Sequence, residues 1–512
     1  MESTKRTPGE ELVEMWETVV RRDADADEGA IDRTIAPSRA VETFTRRQLM
    51  GDLPRIEPDD EHSEFDVKRT LGRGSMGMVR LAHQASLYRE VAIKTVLPDK
   101  LSEKSTLDLL QESWVTGMLE HPNIVPVHTL GVDEHGAPMM VMKRVEGVAW
   151  HDTIGNEHNL PAPFRGGRDR LDNHIDILIQ VCNAVEFAHS KGIVHCDLKP
   201  TNVMLGSYGE VYLVDWGIAV ALEDDGTGRL PLAQDIETLS GSPGYIAPEL
   251  AAGQGESVDE RTDVYLLGAV LHRLVTGTYR HQGDSIHELL RAAYRSAPVD
   301  YDDSVADELA EICNKATRLR PSERFEDVRA FRTALSDFKK HRESLRLSDR
   351  ADTRLSRLEK LVSRIVKDRH AMRGSLDDET VTEVNRLYNE CRFGFDQALE
   401  IWDDNGDARR GAIRATEVML EFEFFQRNDK AAAVLLDELP QVPGELQARL
   451  DSLREELAEE AEEIERNRQI SRDVDIDMAS AQRSRMFVLF GFIFGAMPIL
   501  NQLAIDMGWA SL

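Results

Sequence analysis

Gly192-Ile193-Val194-His195-Cys196-Asp197-Leu198-Lys199-Pro200-Thr201-Asn202 is the stretch from which the rest of this 512-residue chain is read. It sets a carboxylate at 197, an ammonium at 199 and a carboxamide at 202, so one loop presents an acid–base group, a cation and a hard oxygen ligand together. An aspartate follows in Val211-Tyr212-Leu213-Val214-Asp215-Trp216-Gly217, and Ala247-Pro248-Glu249 lies further on. Upstream are Leu71-Gly72-Arg73-Gly74-Ser75-Met76-Gly77-Met78-Val79 and the β-branched run Val91-Ala92-Ile93 ending in Lys94.

Each segment has a chemical reason. Glycines at 72, 74 and 77 clear side chains from a strand-turn-strand hairpin, so its backbone can approach phosphates. Alone, such a turn is equally an ordinary structural hairpin. Lys94 closes what reads as a buried strand, and an ammonium there needs anionic partners. Glu112, in a helical pattern from Lys104 to Leu119, is the candidate partner; taken by itself it reads as an exposed helix acid.

In this order the segments resemble the protein kinase family, its serine/threonine branch in particular. The resemblance implies an α+β two-lobed protein kinase fold, with a β-rich N-lobe and an α-helical C-lobe, binding Mg·ATP in the cleft between them. Asp197 would accept the proton of the attacking hydroxyl, and Lys199 would stabilise the charge developing on the transferred phosphoryl group. Asn202 and Asp215 would ligate Mg²⁺, and Lys94 with Glu112 would hold the α- and β-phosphates. Leu71, Gly72, Arg73, Gly74, Ser75, Met76, Gly77, Val79 and Ala92 are the expected nucleotide contacts. In the hinge, Met142 guards the adenine pocket, backbone groups near Lys143 and Val145 bond the adenine edge, and Glu146 falls where an acid reaches the ribose. Ser242 matches the hydroxyl that bridges the catalytic aspartate and lysine, Asp263 the brace of the catalytic loop, and Arg324 the partner of Glu249.

Two positions depart from the family pattern. Trp216 replaces the usual phenylalanine, and Cys196 replaces the arginine that pairs with an activation-loop phosphate. Activity is therefore expected to depend less on that phosphorylation, with Thr238 and Ser240 as the candidate sites in the loop; both also read as plain turn residues. Cys196 reads as a neutral small replacement, with a redox role as the alternative.

The resemblance covers 65–341, leaving 1–64, 342–482 and 483–512 to other roles. The first of these is acidic, lacks a sustained apolar period and has no secretory h-region; it is expected to be mostly disordered, with a short helix around Glu11 to Val20. A formal net charge of -30 and four scattered cysteines argue against nucleic-acid binding and for a reducing compartment. From 342 to 482 the pattern is helical: Leu355, Leu358, Val362 and Ile365 share one face, and breaker clusters at Asp403-Asp404-Asn405-Gly406-Asp407 and Asn428-Asp429 separate two or three helices between Thr382 and Leu439. This region resembles degenerate tetratricopeptide-like hairpins, and a plain helical linker explains the same periodicity. Leu450, Leu453, Leu457 and Ile464 approximate a short heptad seam with acidic flanks, read as a solvated helix, a homodimeric coiled coil being the alternative.

The last signal is apolar. Met486 to Ile505 gives a single C-terminal transmembrane helix, despite Pro498, Asn501 and Gln502. Arg483 and Arg485 precede it and no Lys or Arg follows, which keeps the kinase region cytoplasmic. The expected function is phosphorylation of Ser and Thr in protein substrates, autophosphorylation included, at a membrane. The alternatives are an ATP-binding pseudokinase scaffold with a partner-binding tail and a membrane-bound helical adaptor.

Overall fold

The computed structural model describes residues 12–18, 31–36, 53–56, 64–74, 77–165, 169–367 and 376–507. The chain divides into two units, Met1–Lys339 and Lys340–Leu512.

In the first unit, strands β1 (Phe65–Arg73), β2 (Gly77–Gln84), β3 (Arg89–Val96), β4 (Val127–Val132) and β5 (Pro138–Lys143) form an antiparallel sheet of order β1-β2-β3-β5-β4. The β-branched run of β3 is the reason this sheet has a core: Val91, Ala92 and Ile93 are buried, packing with Phe65, Met139 and Val141. Register then fixes the chemistry, because Lys94 stands between Val79 of β2 and Met140 of β5. Helix α1 (Glu103–Met118) starts at a capping box formed by Ser102 and Ser105 and buries Leu109, Leu110, Glu112 and Val115. That period, i to i+3 and i+6, brings Glu112 to the face that packs on the sheet.

The larger lobe is helical. Helices α2 (Arg170–His189), α3 (Pro248–Ala251), α4 (Glu260–Thr276), α5 (Ile286–Arg295) and α6 (Asp307–Ala316) build it with α4 at the centre, buried from Thr262 to His272. Helix α7 (Val328–Lys367) adds Phe331, Leu335 and Phe338 to the same core. Short strands β6 (Gly147–Ala149), β7 (Ile193–Val194), β8 (Val203–Gly206), β9 (Val211–Leu213) and β10 (Val220–Ala221) carry the loops between them; β6-β8-β9 form one small sheet and β10-β7 another.

Three buried histidines make this lobe acid-sensitive. His174 accepts from Trp150 Nε1 at 3.0 Å, His272 Nδ1 lies 2.8 Å from the Tyr301 hydroxyl, and His281 Nε2 lies 2.9 Å from the Ile246 carbonyl oxygen. Burial lowers their pKa values from 6.5 to about 4, about 4 and about 3. A depressed native pKa means stability is full above the ordinary value and is lost as pH falls from 6.5 toward those values. At a pH of about 5.5 the loss is about 1.4 kcal/mol for each histidine and roughly 4 kcal/mol for the set. The urea midpoint should therefore be lower at that pH than one unit above neutrality; equal midpoints would show that these rings are charged in the native state.

The second unit contains the remainder of α7, helices α8 (Asp378–Ile401), α9 (Gly406–Gln426), α10 (Asp429–Asp437) and α11 (Gly444–Asp506). Leu355, Leu358, Val362 and Ile365 all enter its core with Phe395, Met419, Phe422 and Leu436. The breaks fall where the polar clusters lie: Asn405 caps α9 through Ala408 N at 3.0 Å, and Asn428 caps α10 through Ala431 N at 3.3 Å. Asn405 also donates to Ser344 Oγ and Ser348 Oγ, at 2.7 and 3.0 Å, which satisfies a buried carboxamide. The heptad seam splits in two: Leu450 and Leu453 are buried in this core, whereas Ile464 is exposed.

The stretch Met478–Ala504 of α11 is apolar and long enough to cross a membrane, and none of its apolar window is buried. The helix continues through Pro498.

Within 1–64 the described residues include a short helix where one is expected, around Glu11 to Val20, and two further stretches, 31–36 and 53–56, that pack on the rest of the first unit; the rest of 1–63 lies outside the described residues. Residues 12–18 form a short helix, and Trp16, Ile35 and Ile56 are buried. Trp16 Nε1 donates to the Ala251 carbonyl at 2.8 Å, and residues 53–56 run beside β4 through Ile56 N to Val132 O at 2.8 Å and Val132 N to Pro54 O at 3.0 Å. Single apolar anchors spaced by polar chain, such as Ile35 and Ile56, leave no periodic signal in the sequence.

Candidate active site

One cavity of about 1110 Å³ in the first unit is lined by the glycine turn, Lys94, Glu112, Met142, Asp197, Lys199, Asn202 and Asp215. The polar groups arrive from β3, from α1, from the loop between β7 and β8 and from the residues after β9, so the site exists only when all four are in place.

On the sheet side, Lys94 Nζ is 2.5 Å from Glu112 Oε1 and 3.6 Å from Asp215 Oδ1. Burial works against the ammonium, but Asp215 and Glu112 outweigh it and hold Lys94 above the ordinary lysine pKa, so it is cationic. The Lys94 ammonium, opposed by burial, keeps the Asp215 carboxyl below its usual range, with Lys199 adding to the effect. The turn closes through Gly74 N to Gly77 O at 2.8 Å, and a Cβ at Gly77 would sit 3.1 Å from the Thr95 carbonyl oxygen. Ser75 and Met76 lie outside the described residues. Leu71, Gly72, Arg73, Val79, Ala92, Lys143 and Val145 all line the cavity. Glu146 does not: it is paired with Arg144 at 2.9 Å and is largely exposed.

On the helical side, the loop is pinned by α4. Asp263, fully buried, accepts from His195 N at 2.8 Å and Cys196 N at 3.0 Å and lies 2.8 Å from His189 Nε2. These bonds hold Cys196 at φ 65°, a left-handed conformation that an L-residue adopts only under constraint. The turn aims Asp197 into the cavity. Its Oδ1 accepts from Ser242 Oγ at 2.7 Å, Lys199 Nζ donates to Ser242 Oγ at 2.6 Å, and Lys199 Nζ is 3.0 Å from Asp197 Oδ2. Asn202 Nδ2 donates to the Asp197 carbonyl at 2.9 Å, which turns its carboxamide oxygen the other way. Asp215 also has positive φ, 65°, and presents its carboxylate to the cleft.

Asn202 and Asp215 together form a hard-oxygen donor set of the kind that binds a divalent cation. Both line the cavity, and the ionised state of Asp215 suits it to that role.

The two unusual residues behave differently. Trp216 is 1% exposed, and its ring centroid lies 4.5 Å from that of His195, so the aromatic packs under the catalytic loop. Cys196 is a buried thiol, outside any disulfide, in an apolar cluster with Val194 and Ile246. Of the two activation-loop hydroxyls, Ser240 is buried and Thr238 half-buried. Glu249 and Arg324 form a bidentate pair at 2.7 Å beneath the loop.

Residues 32–34 and 36 also line the cavity, with no sign of this in the sequence. Thr34 donates from Oγ1 to Asp197 Oδ2 at 2.6 Å, and Lys199 Nζ donates to Thr34 Oγ1 at 2.8 Å. Nothing in the local sequence distinguishes this threonine from its neighbours.

The family model described as protein kinase domain matches residues 65–336. The chain is 34% identical over 285 residues to serine/threonine-protein kinase PknB of Mycolicibacterium smegmatis, covering 54% of this chain and 43% of that protein. It is 32% identical over 285 residues to PknB of Mycobacterium tuberculosis (strain ATCC 25177 / H37Ra), with the same two shares. It is 29% identical over 299 residues to serine/threonine-protein kinase PknD of Chlamydia trachomatis (serovar D), covering 54% of this chain and 31% of that protein. The chain thus spans less than half the length of these relatives.

Proposed function

The chain belongs to the protein kinase family, whose members use ATP and a divalent metal, and on that premise we propose that it transfers the γ-phosphoryl group of Mg·ATP to serine and threonine hydroxyls of proteins while tethered to a membrane. The observation that carries this reading is the triangle of Asp197, Ser242 and Lys199 facing Lys94 and Asp215 across one cavity. Asp197 orients the acceptor hydroxyl and takes its proton. Lys199 sits where charge develops on the transferred group. Lys94, braced by Glu112, offers its ammonium to the phosphates, and Met142, Lys143 and Val145 border the adenine end of the cavity. Asn202 and Asp215 would hold Mg²⁺, which when bound neutralises phosphate charge and sets the leaving group in line.

The hydroxyl of Ser242 spans Asp197 and Lys199, the bridge that the resemblance to serine/threonine kinases implies, which favours serine and threonine over tyrosine. The stretch Met478–Ala504 supplies the tether, and Arg483 and Arg485 near its start favour a cytoplasmic kinase unit, where ATP is found.

The test is incubation of the full chain with γ-labelled ATP, Mg²⁺ and a basic acceptor protein, followed by acid hydrolysis. Label is expected in phosphoserine and phosphothreonine. Its absence would leave a nucleotide-binding scaffold, and label in phosphotyrosine would reverse the specificity assignment.

A further inference from the structure

Thr34 is held as an acceptor is held. Its hydroxyl lies 2.6 Å from Asp197 Oδ2, within the reach a general base needs, and 2.8 Å from Lys199 Nζ. The flanking backbone is bound like an added strand: Ile35 N donates to Gly241 O at 3.0 Å, Gly241 N to Ile35 O at 2.9 Å, and Gly244 N to Ile31 O at 3.1 Å. Lys199 Nζ also donates to the Asp32 carbonyl at 2.7 Å, and the Tyr279 hydroxyl donates to Asp32 Oδ2 at 2.5 Å. Ile35, immediately after the threonine, is 5% exposed in the apolar cluster that contains Leu239, Ile246 and Leu250.

The groove is shaped for this close approach. Gly241 has φ +118°, and a Cβ on Gly244 would come within 2.7 Å of Ile31 Cγ2. A blocking segment that was only inhibitory would need no hydroxyl at this point. Here the segment itself brings a hydroxyl to the catalytic carboxylate, on Oδ2, the oxygen that Ser242 leaves open by bonding Oδ1.

We infer that Thr34 is a phosphorylation site of this protein, modified by its own active site in the same molecule, and that the segment 31–36 fills the acceptor groove until that happens. This rests on the kinase reading above. In the step, Thr34 Oγ1 bonds to the γ-phosphorus of ATP as the bond from that phosphorus to the β,γ-bridging oxygen breaks. The bridging oxygen keeps the electron pair and departs on ADP, while the hydroxyl proton passes to Asp197. The product places a phosphate dianion against Asp197, and once the proton has left, that like-charge contact expels the segment. The groove is then open to other proteins, and the best of these carry threonine followed by a branched apolar residue, as Thr34-Ile35 does.

The experiment uses the full chain in detergent micelles with Mg·ATP, peptide mapping by mass spectrometry, and an added peptide copying residues 29–38. Phosphate is expected on Thr34, at an initial rate per molecule that does not change over an about hundredfold dilution, as an intramolecular reaction requires. Ile35→Asp should slow Thr34 modification and lower the KM for the added peptide about tenfold, because the competing segment loses its buried anchor. Thr34→Ala should abolish that phosphate and keep the peptide KM high, since the segment remains seated. If the peptide is phosphorylated while Thr34 stays unmodified, or is modified at a rate proportional to concentration, the inference falls and the kinase reading stands. If neither Thr34 nor the peptide gains phosphate, the kinase reading itself falls.

Discussion

Asp197→Asn should lower kcat for phosphoryl transfer by about a thousandfold while shifting the KM for ATP by no more than about twofold. The substitution is nearly isosteric, so the carboxamide oxygen can still accept from Ser242, which now lies 2.7 Å from Oδ1, and the loop keeps its place on Asp263. The lost function is at Oδ2, where the acceptor hydroxyl donates. An amide nitrogen there is a donor and cannot take the proton, so the nucleophile is neither activated nor oriented. On the proposed reading the nucleotide is held from the sheet side, by Lys94 and the glycine turn that line the cavity, and those groups are untouched. Initial rates over an ATP titration read both parameters. Unchanged kcat would remove Asp197 from the chemistry, and a large rise in KM would mean that its effect is on binding.

The second large effect is on stability. Glu249→Ala should destabilise the kinase unit by about 3–5 kcal/mol, because it strands a guanidinium that is fully buried. Arg324 spends both terminal nitrogens on Glu249 at 2.7 Å, and its remaining bonds go to the carbonyls of Arg318, Leu319 and Arg261. Its plane also lies 4.8 Å from the Tyr265 ring centroid. Those neighbours cannot move to admit water without opening the helical core. The melting temperature should fall by roughly 10 °C, at about 2–4 °C per kcal/mol for a unit of this size. The double variant Glu249→Leu with Arg324→Met removes both charges and should be less damaged than the single variant. A single variant that melts with the parent would mean that solvent reaches the pair.

Most of the candidate site was legible because its residues lie at short range in sequence. Asp197, Lys199 and Asn202 share one loop, and the motif around Ser242 marks it as the hydroxyl that spans Asp197 and Lys199. Lys94 and Glu112 required more, since 18 positions separate them and only the packing of α1 on the sheet brings them within 2.5 Å. Glu146 shows the limit of transfer by position: an adjacent cation, Arg144, engages the carboxylate outside the cavity. The helical breaks in the second unit were readable because Asn405 and Asn428 do local work, capping helices three residues ahead. The segment 31–36 was not readable. Its bonds reach across 163 positions in the case of Thr34 and Asp197, and no local pattern encodes a contact of that range.

Helix α11 has a practical side. Phe487 and Phe492 are 78% and 77% exposed, and from Met486 to Leu500 the helix offers water no charged side chain. Handled in plain buffer, molecules would clump through that greasy rod, and any count of subunits made there would report the clump. Micelles, or a chain cut ahead of Met478, are the conditions under which self-association of the folded units can be measured at all.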